Sequence, residues 1–356
     1  MAPTLVFLFV SPTHAPAMRE LAPELAQRLT GAALLGCTAQ AVVGEDREVE
    51  EAAAFAVWAG HLGKAEAAPF WLSMEYTADG PSVIGLGEVP EDARALLLLA
   101  EPHSFPTQAL LTRMNAEAPG IPVIGGQASG GGPGENVMVM GAETRRSGAV
   151  GVFLNGEVSV RTVVSQGCRP IGSPYIITHG QSNVIELLAG RPPLERVSNI
   201  AGKATPQEQE MIRNSLQVGL VIDELKTDPQ RGDFLIRPIV NADFETGAIA
   251  IGDLAAVGRT VQFQLRDAAT ADEDLKSLLS EAGGTGAAGA LMFTCNGRGM
   301  RLFGTEDHDV KALHESMPGM PVAGMFCAGE IGPIGNRNFL HGFTASIALF
   351  EQDSGE

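Results

Sequence analysis

Cysteine is scarce in this chain. Cys37, Cys168, Cys295 and Cys327 are the only four in 356 residues, and no two lie close in sequence. That excludes a disulfide framework and the paired spacing of a structural zinc site, and it suits a reducing compartment. A cytoplasmic protein without metal or cofactor is therefore expected. Basic residues are also few, 24 Lys and Arg against 42 Asp and Glu, for a net charge of −18. Phosphate backbones and anionic lipid surfaces would be repelled, so neither nucleic acid nor membrane is an expected partner. No apolar run approaches the ~20 residues a spanning helix needs. Met1–Val10 is apolar but has no basic flank or cleavage site, so it does not read as a signal peptide. Walker A, HExxH and GxSxG strings are missing. Gly284–Gly289 matches the dinucleotide-binding string, but it follows a predicted helix and precedes a predicted strand, the reverse of the required order. The seven histidines are scattered, and His308 and His314 are poorly spaced for a metal on one helix.

What is present describes a folded, two-domain chain. Hydrophobic residues are 45% and charged residues 19%, enough to bury a core and too apolar for disorder. Runs such as Thr4–Val10, Ala32–Gly44, Ala93–Glu101 and Ala287–Gly297 read as strands. Met18–Leu29, Pro106–Ala116 and His308–Ser316 read as helices. Glu45–Ala59 starts acidic and turns apolar, which favours a helix, although Val49–Ala59 also fits a strand. A short helix is expected near Asn183–Leu188. Thr205-Pro206-Gln207-Glu208 and Thr270-Ala271-Asp272-Glu273 read as capping boxes that open helices. Strands outnumber helices and often follow one another directly. The expected fold class is α+β, with mainly antiparallel sheets covered by helices. The polar stretch ending at Ala204 places the domain boundary between residues 1–204 and 205–356.

The chain also echoes itself. Pro119–Gly130 reads PGIPVIGGQASG and Pro318–Gly329 reads PGMPVAGMFCAG, at an offset of 199 residues. Each is followed by a second apolar run, from Ser147 and from His341. Two related halves are expected, each delivering a strand into a glycine turn.

Four stretches combine a strand end with small, polar or reactive residues: Gly36-Cys37-Thr38, Gly125–Gly132 with Gly126 and Ser129, Cys295–Gly299, and Cys327–Gly332. Glycines there let backbone N–H groups turn outward as an anion nest. Arg298 is a candidate bidentate clamp for a carboxylate, and Glu330 a candidate acceptor from an amine. With Cys37, Thr38, Gly126, Ser129, Cys295, Asn296, Cys327 and Arg337, they form the candidate ligand-binding set, suited to an amino acid or another small carboxylate. The competing reading is tight turns between packed strands, with Arg298 and Glu330 paired to each other. Cys327 with His341 is a weaker candidate for a nucleophile and its base; a buried, inert thiol is the commoner case.

From Leu34 to Phe350 the chain resembles the FIST family (F-box and intracellular signal transduction proteins). LLGCTAQAVVGEDREVE from Leu34, LLLLAEPHSFPTQALLTRMNAEAPGIPVIGGQASGGG from Leu96, and VSQGCRPIGSPYIIT with NVIELLAGRPPLE resemble its N-terminal domain. QVGLVID, GDFLIRPIV, GAIAIGD, VQFQLRDA, FTCNGRG and PVAGMFCAGEIGPIGNRNFLHGFTASIAL resemble its C-terminal domain in order. The resemblance implies a sensory module that binds a small ligand, with amino acids as candidates, in signal transduction. It carries no established catalytic residues to transfer. Relatives join FIST domains to kinases, to methyl-accepting modules or to an F-box. The residues before Leu34 leave no room for an F-box and none after Phe350 for an output domain, so a stand-alone sensor is expected. A scaffold that recruits a protein partner and a cysteine-dependent enzyme are the alternatives.

Overall fold

The computed structural model describes residues 1–77, 80–283 and 286–351. The chain divides into two compact units, Met1–Ser165 with Leu275–Glu356, and Gln166–Asp274. It is α+β, with mostly antiparallel sheets.

The larger unit is built three times over from one pattern. Its strand–helix–strand sets are Leu5–Val10, Met18–Arg28 and Ala33–Thr38; Ala93–Ala100, Thr107–Glu117 and Val123–Gln127; and Ala287–Cys295, His308–Ser316 and Val322–Cys327. In each set the two strands pair in parallel. Each first strand is flanked by an antiparallel neighbour: Phe55–Gly60, Ala149–Asn155 and Thr344–Glu351. The strand that leaves each set pairs with the next one round. Val42–Gly44 joins Val322–Cys327, Glu330–Ile334 joins Val123–Gln127, and Met138–Met140 joins Ala33–Thr38. Three sheets of five, seven and six strands result.

One glycine fixes the register of each set. Gly36 faces Leu8, Gly125 faces Leu98 and Gly324 faces Met292. At all three a Cβ would overlap the carbonyl oxygen of the facing residue, so only glycine allows this approach. Gly125 and Gly324 are the glycines of the sequence echo. The third copy, around Gly36, lacks the Pro-Gly-x-Pro lead-in that made the other two visible.

Alternating side chains of all three sheets meet in one core, including Leu5, Phe7, Phe9, Leu97, Leu99, Leu291, Phe293 and Met325. The opposite faces are covered by helices. Met18 and Ala22 lie on Val6 and Leu8, Leu110 and Met114 on Leu96 and Leu98, and Leu279, Val310 and Leu313 on Ala290 and Met292. Burial on both faces is why these strands read as continuous apolar runs instead of alternating ones.

The smaller unit is a closed six-stranded barrel of Cys168–Gln181, Val184–Leu188, Leu216–Val221, Phe234–Ala242, Ile249–Ile251 and Thr260–Arg266. It carries the helices Pro193–Ala201 and Pro206–Ser215. The Thr205 capping box is complete: Thr205 accepts from the Glu208 N–H, and Glu208 Oε2 accepts from the Thr205 N–H at 3.0 Å.

Three local expectations are corrected. Glu45–Ala59 is not helical; it holds the strands Arg47–Val49 and Phe55–Gly60. Pairing of Phe55–Gly60 with Leu5–Val10 overrides the acidic start. Asn183–Leu188 contains the strand Val184–Leu188, for the same reason. The second capping box is displaced. The helix begins at Ala268, and Asp267 Oδ1 accepts from the N–H groups of Ala269 and Thr270. The boundary expected after Ala204 falls between the two helices of the barrel unit. Gly284 and Thr285 of the dinucleotide-like string lie outside the described residues.

Candidate functional site

The three copies can be compared position by position. Val10 pairs with Thr38, Ala100 with Gln127 and Thr294 with Phe326. The next residues are therefore equivalent: Ser11, Glu101 and Cys295 at the first strand end, and Ala39, Ala128 and Cys327 at the second. On the incoming strand, Val42 opposite Met325, Met138 opposite Cys37 and Glu330 opposite Gly126 are equivalent. Glu330 is thus a fully buried acid where the other two copies place Val and Met. Packing does not require a carboxyl at that position, which marks this strand end as a candidate site.

Short contacts bring its parts together. Cys295 and Cys327 are register partners on parallel strands. The Asn296 N–H donates to the Cys327 carbonyl at 3.0 Å, and the Arg298 N–H to the Cys295 carbonyl at 2.8 Å. The chain from Cys295 to Arg298 therefore folds over the strand ends. Gly126 has no room for a Cβ because Cys327 Sγ occupies the space. Glu330 Oε2 accepts from the Thr344 N–H at 3.1 Å and its hydroxyl at 2.8 Å. The Cys295 side chain also hydrogen-bonds the Glu330 carboxyl, and Glu330 Oε1 has no further partner among the described residues. Burial pushes the Glu330 carboxyl up to about 8, against the Thr344 hydrogen bonds and the neighbouring Arg298 and Cys295. Burial thus favours its neutral, protonated form.

Arg298 is also fully buried. Its Nε donates to Asp309 Oδ2 at 2.7 Å and its Nη2 to Asp309 Oδ1 at 2.8 Å. Thr294 Oγ1 donates to the same carboxylate at 2.7 Å. Burial alone would raise Asp309, but the Arg298 guanidinium and these hydrogen bonds hold it well below the usual carboxylate range. Nη1 of Arg298 and Oδ1 of Asn296 have no partner among the described residues. Nearby, Glu48 Oε1 accepts from the Val310 N–H at 2.9 Å. Burial, then the Asp309 charge, pushes Glu48 up to about 8.

The structure gathers Cys37, Gly126, Cys295, Asn296, Arg298, Cys327 and Glu330 around these strand ends. Thr38 and Ser129 serve the turns instead. The Val137 N–H donates to Thr38 Oγ1 at 3.0 Å, the Gln40 N–H donates to Ser129 Oγ at 2.9 Å, and Ser129 Oγ donates to the Phe326 carbonyl. Arg337 is set apart: it is exposed at the far end of the hairpin, paired with Ile334, while Glu330 pairs with His341. Arg298 and Glu330 do not pair with each other, because Asp309 and Thr344 are nearer partners. The Nε/Nη2 fork of Arg298 is occupied by Asp309, so a ligand carboxylate would meet Nη1 and not that fork. Cys327 is buried, and burial and Glu330 push its thiol up, which opposes a role as the nucleophile that attacks a substrate. His341 is occupied by the Gly332 carbonyl, 3.0 Å from Nε2. Cys37 Sγ lies 3.2 Å from Met325 Sδ, and burial pushes its thiol up as well.

Asp309, Thr344 and Glu48 were missed by sequence reasoning. Asp309 sits in the first turn of a helix, where an acid is expected on dipole grounds alone. The third copy at Gly36 was the signal that would have exposed Glu330 as an exception. A cavity of about 450 Å³, lined by Trp58, Gly60, His61, Gly289 and Phe350 among others, lies at the opposite strand ends. Among the described residues no group of three or more His, Cys, Asp and Glu could hold a metal ion. No helix there is long and apolar enough to cross a membrane.

The fold and site define a two-unit α+β protein with a buried polar cluster at one strand end of a threefold-repeated unit. Residues 4–191 match the FIST N domain and residues 194–333 the FIST C domain, and the chain belongs to the FIST family, which is linked to signal transduction and sensing. It is 45% identical over 353 residues to an uncharacterized protein of Mycobacterium tuberculosis (strain ATCC 25618 / H37Rv), covering 98% of this chain and 91% of the relative. It is 44% identical over 357 residues to an uncharacterized protein of Mycobacterium bovis (strain ATCC BAA-935 / AF2122/97), covering 99% and 92%.

Proposed function

We propose that this protein is a cytoplasmic sensory protein that binds a small carboxylate-bearing metabolite, an amino acid being the leading candidate, at the strand ends around Glu330. The observation that carries the reading is the set of polar atoms there that the protein leaves incompletely bonded: Arg298 Nη1, Asn296 Oδ1 and Glu330 Oε1, the last with only the Cys295 thiol beside its carboxyl. Two of the three side chains are fully buried, and buried polar atoms without partners are costly unless something completes them. A protonated Glu330 and Arg298 Nη1 offer two donors to a carboxylate. Asn296 Oδ1 offers an acceptor to an ammonium or hydroxyl, so the amine role first assigned to Glu330 passes to Asn296.

The test is a thermal-shift screen of the full chain, under reductant, against amino acids and small carboxylic acids. A ligand at ~100 times its dissociation constant adds about 2.7 kcal/mol, a shift of a few degrees. The expected result is a hit that Asn296→Ala abolishes while the unliganded melting temperature is kept. A panel without hits, or a hit lost in Gly289→Leu and kept in Asn296→Ala, would refute the assignment; the second result would place the ligand in the Trp58 cavity.

A second reading, docking of a protein partner, is favoured by apolar side chains on the barrel unit. Leu225 and Phe244 are 90% and 87% exposed, and Leu254 and Val257 are also exposed.

A further inference from the structure

We propose that Cys295 and Cys327 form an oxidisable thiol pair that closes to an intramolecular disulfide on reaction with a hydroperoxide. This inference does not depend on the ligand reading. The two residues are register partners and the last residues of neighbouring parallel strands. Adjacent strands run about 4.8 Å apart, inside the ~4.4–6.8 Å that disulfides span between Cα atoms. Both side chains belong to the inward face. Cys327 shares the central core with Met325, two residues before it, and Cys295 follows the core residue Phe293 by two. Strand termini can twist to close the remaining gap between the sulfurs. In the other two copies the equivalent pairs are Ser11 with Ala39 and Glu101 with Ala128, so packing does not call for two thiols here.

The surroundings divide the roles. Cys295 is partly exposed, whereas Cys37, Cys168 and Cys327 are buried. The Gly297 N–H points at Cys295 Sγ at 3.4 Å, and the Arg298 guanidinium lies within electrostatic reach. A backbone N–H and a guanidinium thus face the Cys295 sulfur, and the Glu330 carboxyl hydrogen-bonds the same side chain. The Cys327 thiol is pushed up by burial and then by Glu330, Cys37 and Cys295.

The chemistry balances with one hydroperoxide. The Cys295 thiolate attacks the terminal peroxide oxygen; an S–O bond forms, the O–O bond breaks, and the alcohol leaves after taking a proton. Cys295 is then a sulfenic acid. Cys327 sulfur attacks that sulfur; an S–S bond forms, the S–O bond breaks, and hydroxide leaves as water with the Cys327 proton, which Glu330 can relay. Two thiols are oxidised by two electrons and the peroxide is reduced to alcohol and water.

The test is intact-mass and peptide-mapping mass spectrometry of the full chain treated with hydrogen peroxide. The expected result is a loss of two hydrogens, reversed by a phosphine reductant, with a cross-linked peptide joining Cys295 to Cys327. In Cys327→Ser, Cys295 should instead stop at a sulfenic acid trapped by dimedone. A cross-link through Cys37 or Cys168, an intermolecular disulfide, or thiols left intact at peroxide levels that oxidise free glutathione would overturn the proposal. Mapping of the wild-type protein decides the matter even if the variant fails to fold. A failure here leaves the ligand reading standing, because the ligand screen is run on reduced protein.

Discussion

Replacing Glu330 with Gln should make the larger unit less sensitive to alkaline pH. Gln is isosteric with the protonated carboxyl, and its oxygen can keep both Thr344 hydrogen bonds. The folded protein holds the Glu330 proton up to about 8, whereas the ordinary value is 4.5. Between these values the unfolded chain has lost the proton and the folded chain retains it. Folded protein therefore binds more protons, and stability falls as pH rises through this window. The slope is about 1.4 kcal/mol per pH unit, and the whole interval sets an upper bound of about 5 kcal/mol. Below about pH 4 the variant and wild type should be equally stable on this account; by about pH 8 the variant should be ahead by at least ~2 kcal/mol. The Cys327 thiol, which burial and Glu330 push up well above 9.0, titrates above this window. Trp58 and Trp71 both lie in the larger unit, so urea unfolding followed by tryptophan fluorescence reads the relevant unit. A stability difference that stays constant across the pH range, or shrinks with rising pH, would refute the reasoning.

Three further outcomes follow. Arg298→Ala should cost about 3–5 kcal/mol by leaving Asp309 buried and uncompensated; denaturant unfolding measures it, and Arg298→Met with Asp309→Leu should recover most of the loss. Gly324→Ala should destabilise by about 3 kcal/mol or prevent folding, because its Cβ meets the Met292 carbonyl; soluble expression and melting temperature report this. Thr205→Ala should lower stability by only about 1 kcal/mol, since it removes one helix cap, a shift that calorimetry can resolve.

Much of the fold was legible because its signals are local. The Pro206 helix start, the His308–Ser316 helix and the apolar strand runs depend on neighbours a few residues away. The echo at Gly125 and Gly324 was legible because the same close strand approach demands glycine twice. The copy at Gly36 meets that demand with different flanking residues, so the eye finds two copies where the fold has three. The ring of exchanged strands could not be read, since it pairs Val42–Gly44 with residues about 280 positions away. The site was half visible. Cys295, Asn296, Arg298 and Glu330 stood out by chemistry and glycine context, but their partners did not. Asp309 and Thr344 are ordinary helix-start and strand residues until the fold sets them against Arg298 and Glu330. The barrel interrupts the larger unit between Ser165 and Leu275, and only long-range pairing reveals that.

The central claim is that a neutral Glu330 donates to the carboxylate of a bound metabolite. Calorimetric titration of the screening hit into wild type and Glu330→Gln, from about pH 6 to about pH 9.5, tests it most directly. Wild-type affinity should fall about tenfold per unit once pH passes about 8, while the variant's affinity stays level. An affinity for wild type that is flat across that range would contradict it.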